Sequence, residues 1–371
     1  MNEHFQTDCL DRLAERARAG EISRRRFTQL AVALLGTTAL ATRGTPVLAQ
    51  SGELVFVCWG GDAITAYEKA YGQPFKAETG TEVLVDGSGP TEGAIQAQYE
   101  SGKPAWDLVD ADPFSAETLG KKGMMEPIDY TIVDKSKTRE GFGWEYAASS
   151  YFFSYILAYD ATKFGDTAPT GMADFFDVTK FPGKRAMYKW GAGMWEALLL
   201  GDGVAPDALY PLDLERAHAK LAAFKDNVVG FWGGGAESQS LLMNGDASMA
   251  LIWSTRAKLL EQDSGGDIKF IWNQGLISPG SMAVIKGNPG GAETAMKFIA
   301  SAQAPEKQVV MFEMLGQGPA NPAADALIPE EERRFNPVEP ANFALQVPLD
   351  VAWYEENYSP ALDEYLKIIS A

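Results

Sequence analysis

The chain has 371 residues, 46% of them apolar, and carries 50 acidic against 32 basic side chains for a formal charge of −18. That balance disfavours nucleic acid and anionic lipid as partners and favours cationic solutes, over a screening length of about 10 Å. With two histidines and two cysteines in all, histidine-based triads, His-rich zinc sites and a disulfide framework are excluded as organising features.

In chain order, the first feature is Ser23-Arg24-Arg25-Arg26-Phe27-Thr28-Gln29, followed by the apolar run Leu30 to Ala41. It resembles a twin-arginine export signal, whose passenger crosses the membrane already folded. The run of about 12 residues is short of the roughly 20 that span a bilayer as a helix. Val47-Leu48-Ala49 offers small residues to a peptidase, so residues 1–49 are expected to be a twin-arginine signal peptide cut before Gln50, with the mature protein in the periplasm. An uncleaved anchor or a cytosolic amphipathic helix stays open as the alternative. Removal of seven arginines and five acids would leave 25 basic against 45 acidic groups, a charge of −20. Cys9 and His4 would leave too, so Cys58 is expected to be unpaired and His218 to be the only histidine. The spacing of Leu214, Ala217, Leu221 and Phe224 puts His218 on a helix flank.

The remaining chain of about 320 residues is too long for one core and predicts two lobes. Strand-like Leu54–Val57, helix-like Ala63–Lys76, strand-like Glu82–Val85, helix-like Glu92–Glu100 and strand-like Asp107–Asp110 make a βαβαβ opening. Ile64, Tyr67, Tyr71 and Phe75 share one helical face, and the short apolar runs suit parallel strands covered on both sides. Phe152–Tyr159 predicts a strand crossing to the second lobe, which would hold the helix Leu214–Phe224 and the strand Ser248–Trp253. Gly275, Pro279 and Gly280 are expected to interrupt the pattern before a strand Met282–Ile285 and two helices, Ala292–Ala302 and Pro305–Leu315. A final helix, Trp353–Ile369, is expected to pack on the second lobe. Gly233-Gly234-Gly235 lacks the lysine and hydroxyl of a phosphate loop and reads as a flexible turn.

Several strings, in this order and spacing, resemble a known family. They are Trp59-Gly60-Gly61; Pro74-Phe75 and Glu78-Thr79-Gly80 leading to Val83; Asp107-Leu108-Val109; and Phe181-Pro182-Gly183-Lys184-Arg185. Tyr210-Pro211-Leu212-Asp213, Asn244-Gly245-Asp246 before Trp253, and Gly316-Gln317-Gly318-Pro319-Ala320-Asn321 complete the set. The chain resembles the periplasmic solute-binding proteins of ABC importers, in the spermidine/putrescine-binding group. The resemblance implies an α/β, two-lobed periplasmic-binding-protein fold of type II, with hinge-connected lobes and a central ligand cleft. The lobes would be 50–158 plus 276–318 and 159–275 plus 319–371. It also implies a monomer that closes on a small solute, hands it to a cognate permease and ATPase, uses no cofactor and performs no catalysis.

Trp59 follows an apolar strand and precedes bare glycines, which places its indole at the cleft or, alternatively, in the core. Similar proteins use this aromatic as a wall around an aliphatic or cationic solute, where cation–π attraction contributes about 0.5–2 kcal/mol. Asp112 would face an ammonium group or cap the helix starting at Pro113. Phe114 stands where family members commonly place an aromatic, and Trp190 and Trp195 where polyamine-binding relatives carry acidic contacts. Trp253-Ser254-Thr255-Arg256 aligns with the family's Trp-Asn-Gly-containing segment in the second lobe. Arg256 there would be repelled by a pure polyamine but would hold a carboxylate through two parallel bonds, about 1.5–3 kcal/mol; a structural pairing of Arg256 with Glu237 or Asp246 is the alternative. In the loop 276–281, where polyamine binders place a tryptophan and an aspartate, this chain has Ser278 and Gly280, leaving Asp62, Asp112 or Glu237 to neutralise an amine.

The leading expectation is therefore a receptor for polyamines of the putrescine and spermidine kind, with a carboxylate-bearing amine or amino acid on Arg256 as the alternative. A metal ion as cargo would call for gathered tyrosines, and Tyr67, Tyr71 and Tyr99 read as helix positions. A secreted hydrolase would need two carboxylates at a fixed gap of about 5–9.5 Å, which no spacing identifies.

Overall fold

The computed structural model describes residues 52–165 and 167–371; the expected signal peptide, with Cys9 and His4, lies outside them. Strand β1, Glu53–Val57, is apolar almost throughout because both of its faces are covered. Leu54 and Phe56 join one cluster and Val55 and Val57 another, on opposite sides of the sheet. The expected first helix is present but not uniform. Helix α1, Asp62–Tyr67, widens through a π-turn, Glu68–Gly72, into α2, Gln73–Thr79. Pro74 is the reason we assign, since its ring and missing N–H disturb the turn before it. Gly80, at φ 78°, ends α2.

Strand β2, Glu82–Asp86, α3, Glu92–Glu100, β3, Leu108–Ala111, and α4, Pro113–Lys121, continue the alternation, and β1 pairs in parallel with both β2 and β3. After a short strand β4, Met125–Glu126, the long β5, Ala148–Asp160, leads across to α5, Met172–Phe176, β6, Arg185–Tyr188, α6, Met194–Gly201, and α7, Leu214–Phe224. There follow β7, Val228–Trp232, α8, Gly235–Met243, β8, Met249–Trp253, and α9, Ser254–Asp263.

The return strand β9 runs unbroken from Ile268 to Ile285, which corrects the expected interruption. Its three breakers are each accommodated. Gly275 belongs to a bulge, with Gln274 at φ 60°, between the pairs Ile271–Leu157 and Leu276–Tyr155. Pro279 pairs with Phe152 on one side and lies between the stretches where β9 meets β3 and a later short strand on the other, so its missing N–H breaks no second ladder. Gly280 lies opposite Tyr151, whose ring fills the space a Cβ would need.

Helices α10, Ala292–Ala302, and α11, Pro305–Leu315, then cover one face of the first half, followed by β10, Gly318–Pro319, α12, Pro340–Phe343, and β11, Val347–Pro348. One sheet results, in the order β2-β1-β3-β9-β5-β8-β6-β7. The long strands β5 and β9 belong to both halves. The last helix, α13, Val351–Ser370, packs on α7 as expected and also on α4 of the first half. Tyr354 stacks on Phe114 with centroids 4.9 Å apart, while the Tyr365 hydroxyl donates to the Tyr188 carbonyl at 2.8 Å. It is therefore a strap over both halves.

Candidate functional site

Three chain segments converge where β1, β3 and β8 end. A cavity is lined from the first half by Trp59, Asp110, Asp112 and Gln317, from β5 by Tyr151, Phe153 and Tyr155, and from the second half by Tyr188, Trp253, Thr255 and Arg256. The aromatic walls brace one another. Trp253 meets Trp59 edge-on at 5.9 Å across the halves and Tyr188 at 5.4 Å, and Tyr155 meets Tyr188 at 5.6 Å.

The two aspartates differ. Asp110 is held: Tyr151 donates to it at 2.9 Å and Tyr67 at 3.0 Å, while Trp59 Nε1 donates to its carbonyl at 3.1 Å. Burial pushes its carboxyl up to about 7, with those hydroxyls pulling the other way. Asp112 stands in the N-cap position of α4 but makes no capping hydrogen bond. It faces the cavity, and enclosure raises its carboxyl to about 7.

Arg256, in the first turn of α9, is 2% exposed. Its Nη2 donates to the Gly60 carbonyl at 3.0 Å, across the halves, and its Nη1 lies 3.8 Å from Asp62. Nε and Nη1 are buried with no hydrogen-bond partner. Burial lowers the guanidinium's affinity for its proton and Asp62 partly restores it. Neither Glu237 nor Asp246 pairs with it; Glu237 instead accepts from the Gly233 N–H at 2.8 Å at the start of its own helix.

Trp59, Asp112, Trp253 and Arg256 are thus brought together, with Asp62 at their edge. Trp190 lines an adjoining hollow with Trp59, Asp112 and Tyr358. The others lie elsewhere, each for a local reason. Phe114 is buried against Tyr354 and Tyr358 because α4 turns that face to the strap. Trp195, fully buried, donates to His218 Nε2 at 3.0 Å, so His218 on its helix flank is a half-buried acceptor. Ser278 is buried within β9, and Glu237 is exposed. Sequence reasoning missed Tyr151, Phe153 and Tyr155, whose alternation along β5 is the signal: three aromatics on one face of a crossing strand.

The sequence profile for bacterial extracellular solute-binding proteins matches residues 70–333. The chain belongs to that family. It is a solute binder rather than an enzyme, with the α/β periplasmic-binding-protein fold. Its relatives include a γ-aminobutyric acid-binding protein of Pseudomonas aeruginosa, 33% identical over 302 residues, covering 79% of this chain and 84% of that one. A solved structure described as the Atu4243–GABA receptor is 35% identical, with a TM-score of 0.77 over 86% of this chain and 98% of its own. The spermidine/putrescine-binding periplasmic protein of Escherichia coli is 24% identical over 273 residues, 70% of this solute-binding protein and 76% of that relative.

Proposed function

We propose that this solute-binding protein serves an ABC importer and that its cargo is a small amino carboxylate of the γ-aminobutyrate kind, held by Arg256 at the carboxylate and by Asp112 at the ammonium. The observation that carries the reading is the Arg256 guanidinium, buried with Nε and Nη1 making no hydrogen bond and with only the exposed Asp62, 3.8 Å from Nη1, as an ion partner. A buried charged donor left unmatched costs about 1–3 kcal/mol or more, and a carboxylate satisfies it while a diamine adds a second cation. This favours the alternative over the polyamine expectation, as does the name of the 33%-identical relative against the 24%-identical one. Trp59, Tyr155, Tyr188 and Trp253 would enclose the methylene chain. On this reading the protein is a periplasmic monomer exported by the twin-arginine route, with lobes 50–158 plus 276–318 and 159–275 plus 319–371 meeting on the cargo.

Thermal denaturation with γ-aminobutyrate, putrescine and spermidine tests it, since a solute at 100 times its Kd adds about 2.7 kcal/mol to stability. γ-Aminobutyrate is expected to raise the melting point and the amines not. Arg256→Ala is expected to weaken γ-aminobutyrate by about tenfold or more and to leave putrescine unchanged or improved. Stabilisation by putrescine alone would return the assignment to polyamines.

A further inference from the structure

The glycine run 233–235 is left over from the sequence, since no phosphate chemistry attaches to it. Gly235 opens α8, and nothing in its backbone calls for glycine. Its φ is outside the left-handed region, and alanine in a helix is favoured over glycine by about 1 kcal/mol. What a side chain would meet explains the residue. A Cβ on Gly235 would stand 2.7 Å from Arg256 Cζ and 2.8 Å from Nη2, and nearer still to Nε. Its neighbours are different: a Cβ on Gly233 would find ordinary contacts, 3.8 Å from Trp190 Nε1 and 3.9 Å from Glu237.

We propose that Gly235 is the positioning residue for Arg256, its bare Cα leaving the berth in which the guanidinium lies between the halves, bonded to Gly60 and turned to a cargo carboxylate. From the other half Gly60 offers its carbonyl to Nη2, and a Cβ on Gly61 would meet Ala236 of α8 at 3.6 Å before Arg256 Nη2 at 4.0 Å. A methyl group at 235 would have to push the guanidinium back by more than about 1 Å to reach ordinary packing distance. That is enough to break the Gly60 bond and misalign the carboxylate contact, because such contacts tolerate about 0.5 Å.

The inference rests on Arg256 holding the cargo carboxylate, and a double-mutant cycle separates the two claims. Gly235→Ala is expected to leave the protein folded, to weaken γ-aminobutyrate by tenfold or more in titration calorimetry, and to leave any putrescine binding alone. In an Arg256→Ala background the same change should alter γ-aminobutyrate binding less than twofold. Gly233→Ala is the control and should match wild type. If Gly235→Ala binds within twofold of wild type, or loses as much without Arg256 as with it, the positioning role is overturned while the cargo reading stands. If the wild-type protein takes no ω-amino acid, both fall together.

Discussion

Asp112 and Arg256 pose complementary problems for a cargo, and pH separates them. The Arg256 guanidinium stays charged throughout the accessible range, whereas the Asp112 carboxyl is pushed up to about 7 and is largely protonated at pH 5.5. An ammonium group pairs with the ionised form, so binding must expel that proton in acid. Affinity for γ-aminobutyrate is expected to fall by at least about tenfold from pH 7.5 to pH 5.5, with Asp110 at about 7 titrating beside it. Stability of the arrangement in which Asp110 and Asp112 are enclosed should run the other way. Carboxyls raised in the folded state bind more protons than in the unfolded chain between about pH 4 and 7, so their contribution improves as pH falls through that window. Asp112→Asn is expected to flatten the binding profile; calorimetry at the two pH values checks it, and an unchanged slope would remove Asp112 from the ammonium end. Arg256 and Trp59 were legible because each lies just past the end of an apolar strand, where open α/β sheets present ligands. Asp112 was legible only as a choice between cap and cleft, and the spacing of residues cannot say which way a carboxylate turns. Gly235 was illegible for a sharper reason: its meaning lies in the side chain of a residue on a different helix.

At the scale of elements, α13 decides what its neighbours do. Phe114 looked like a cargo wall because it follows Asp112, yet the strap takes it: Tyr354 stacks on it at 4.9 Å and Tyr358 meets it at 4.8 Å. Tyr354 also donates to the buried Glu196 at 2.8 Å, tying the same helix to α6. Phe114→Ala is therefore expected to destabilise the protein by about 3–5 kcal/mol, seen as a lower urea midpoint, while γ-aminobutyrate affinity at a folded temperature stays within twofold. Lost affinity at unchanged stability would return Phe114 to the cleft. The βαβαβ opening was readable because each strand is a short run covered on both faces and each helix carries one apolar stripe. The strand β9 was not, because Gly275, Pro279 and Gly280 are punctuation in isolation. Pairing with the long β5 overrides them, and that pairing joins residues more than a hundred positions apart.

For the whole molecule, the halves meet through Arg256 on Gly60, Trp59 edge-on to Trp253, Gln239 reaching Asp62 at 3.5 Å, and Lys258 donating to the Phe312 and Glu313 carbonyls at 3.0 and 2.7 Å. Against them stand the unmatched N–H groups of Arg256 and the enclosed Asp112, so without cargo closure is opposed by desolvated charge. On the proposed reading, an amino carboxylate would reverse that sign. Two bonds to the guanidinium and one to the carboxylate, at about 1.5–3 kcal/mol each for charged groups, are of the size needed to move an open-to-closed ratio from 99:1 to 1:99, about 5.5 kcal/mol. On the proposed reading the crossing strands β5 and β9 would supply the hinge, and the strap α13 would limit how far the halves part. Small-angle scattering is expected to give a larger radius of gyration for the free protein than the closed structure has, falling to the closed value on saturation with γ-aminobutyrate. Tryptophan emission should change in step as Trp59 and Trp253 meet. The Arg256→Ala variant should remain open at the same concentration, because the cargo then has no differential hold on the closed state. Scattering that is identical with and without cargo in the wild-type protein, at a concentration where calorimetry shows it bound, would mean that capture proceeds without closure and that the hinge has been misassigned.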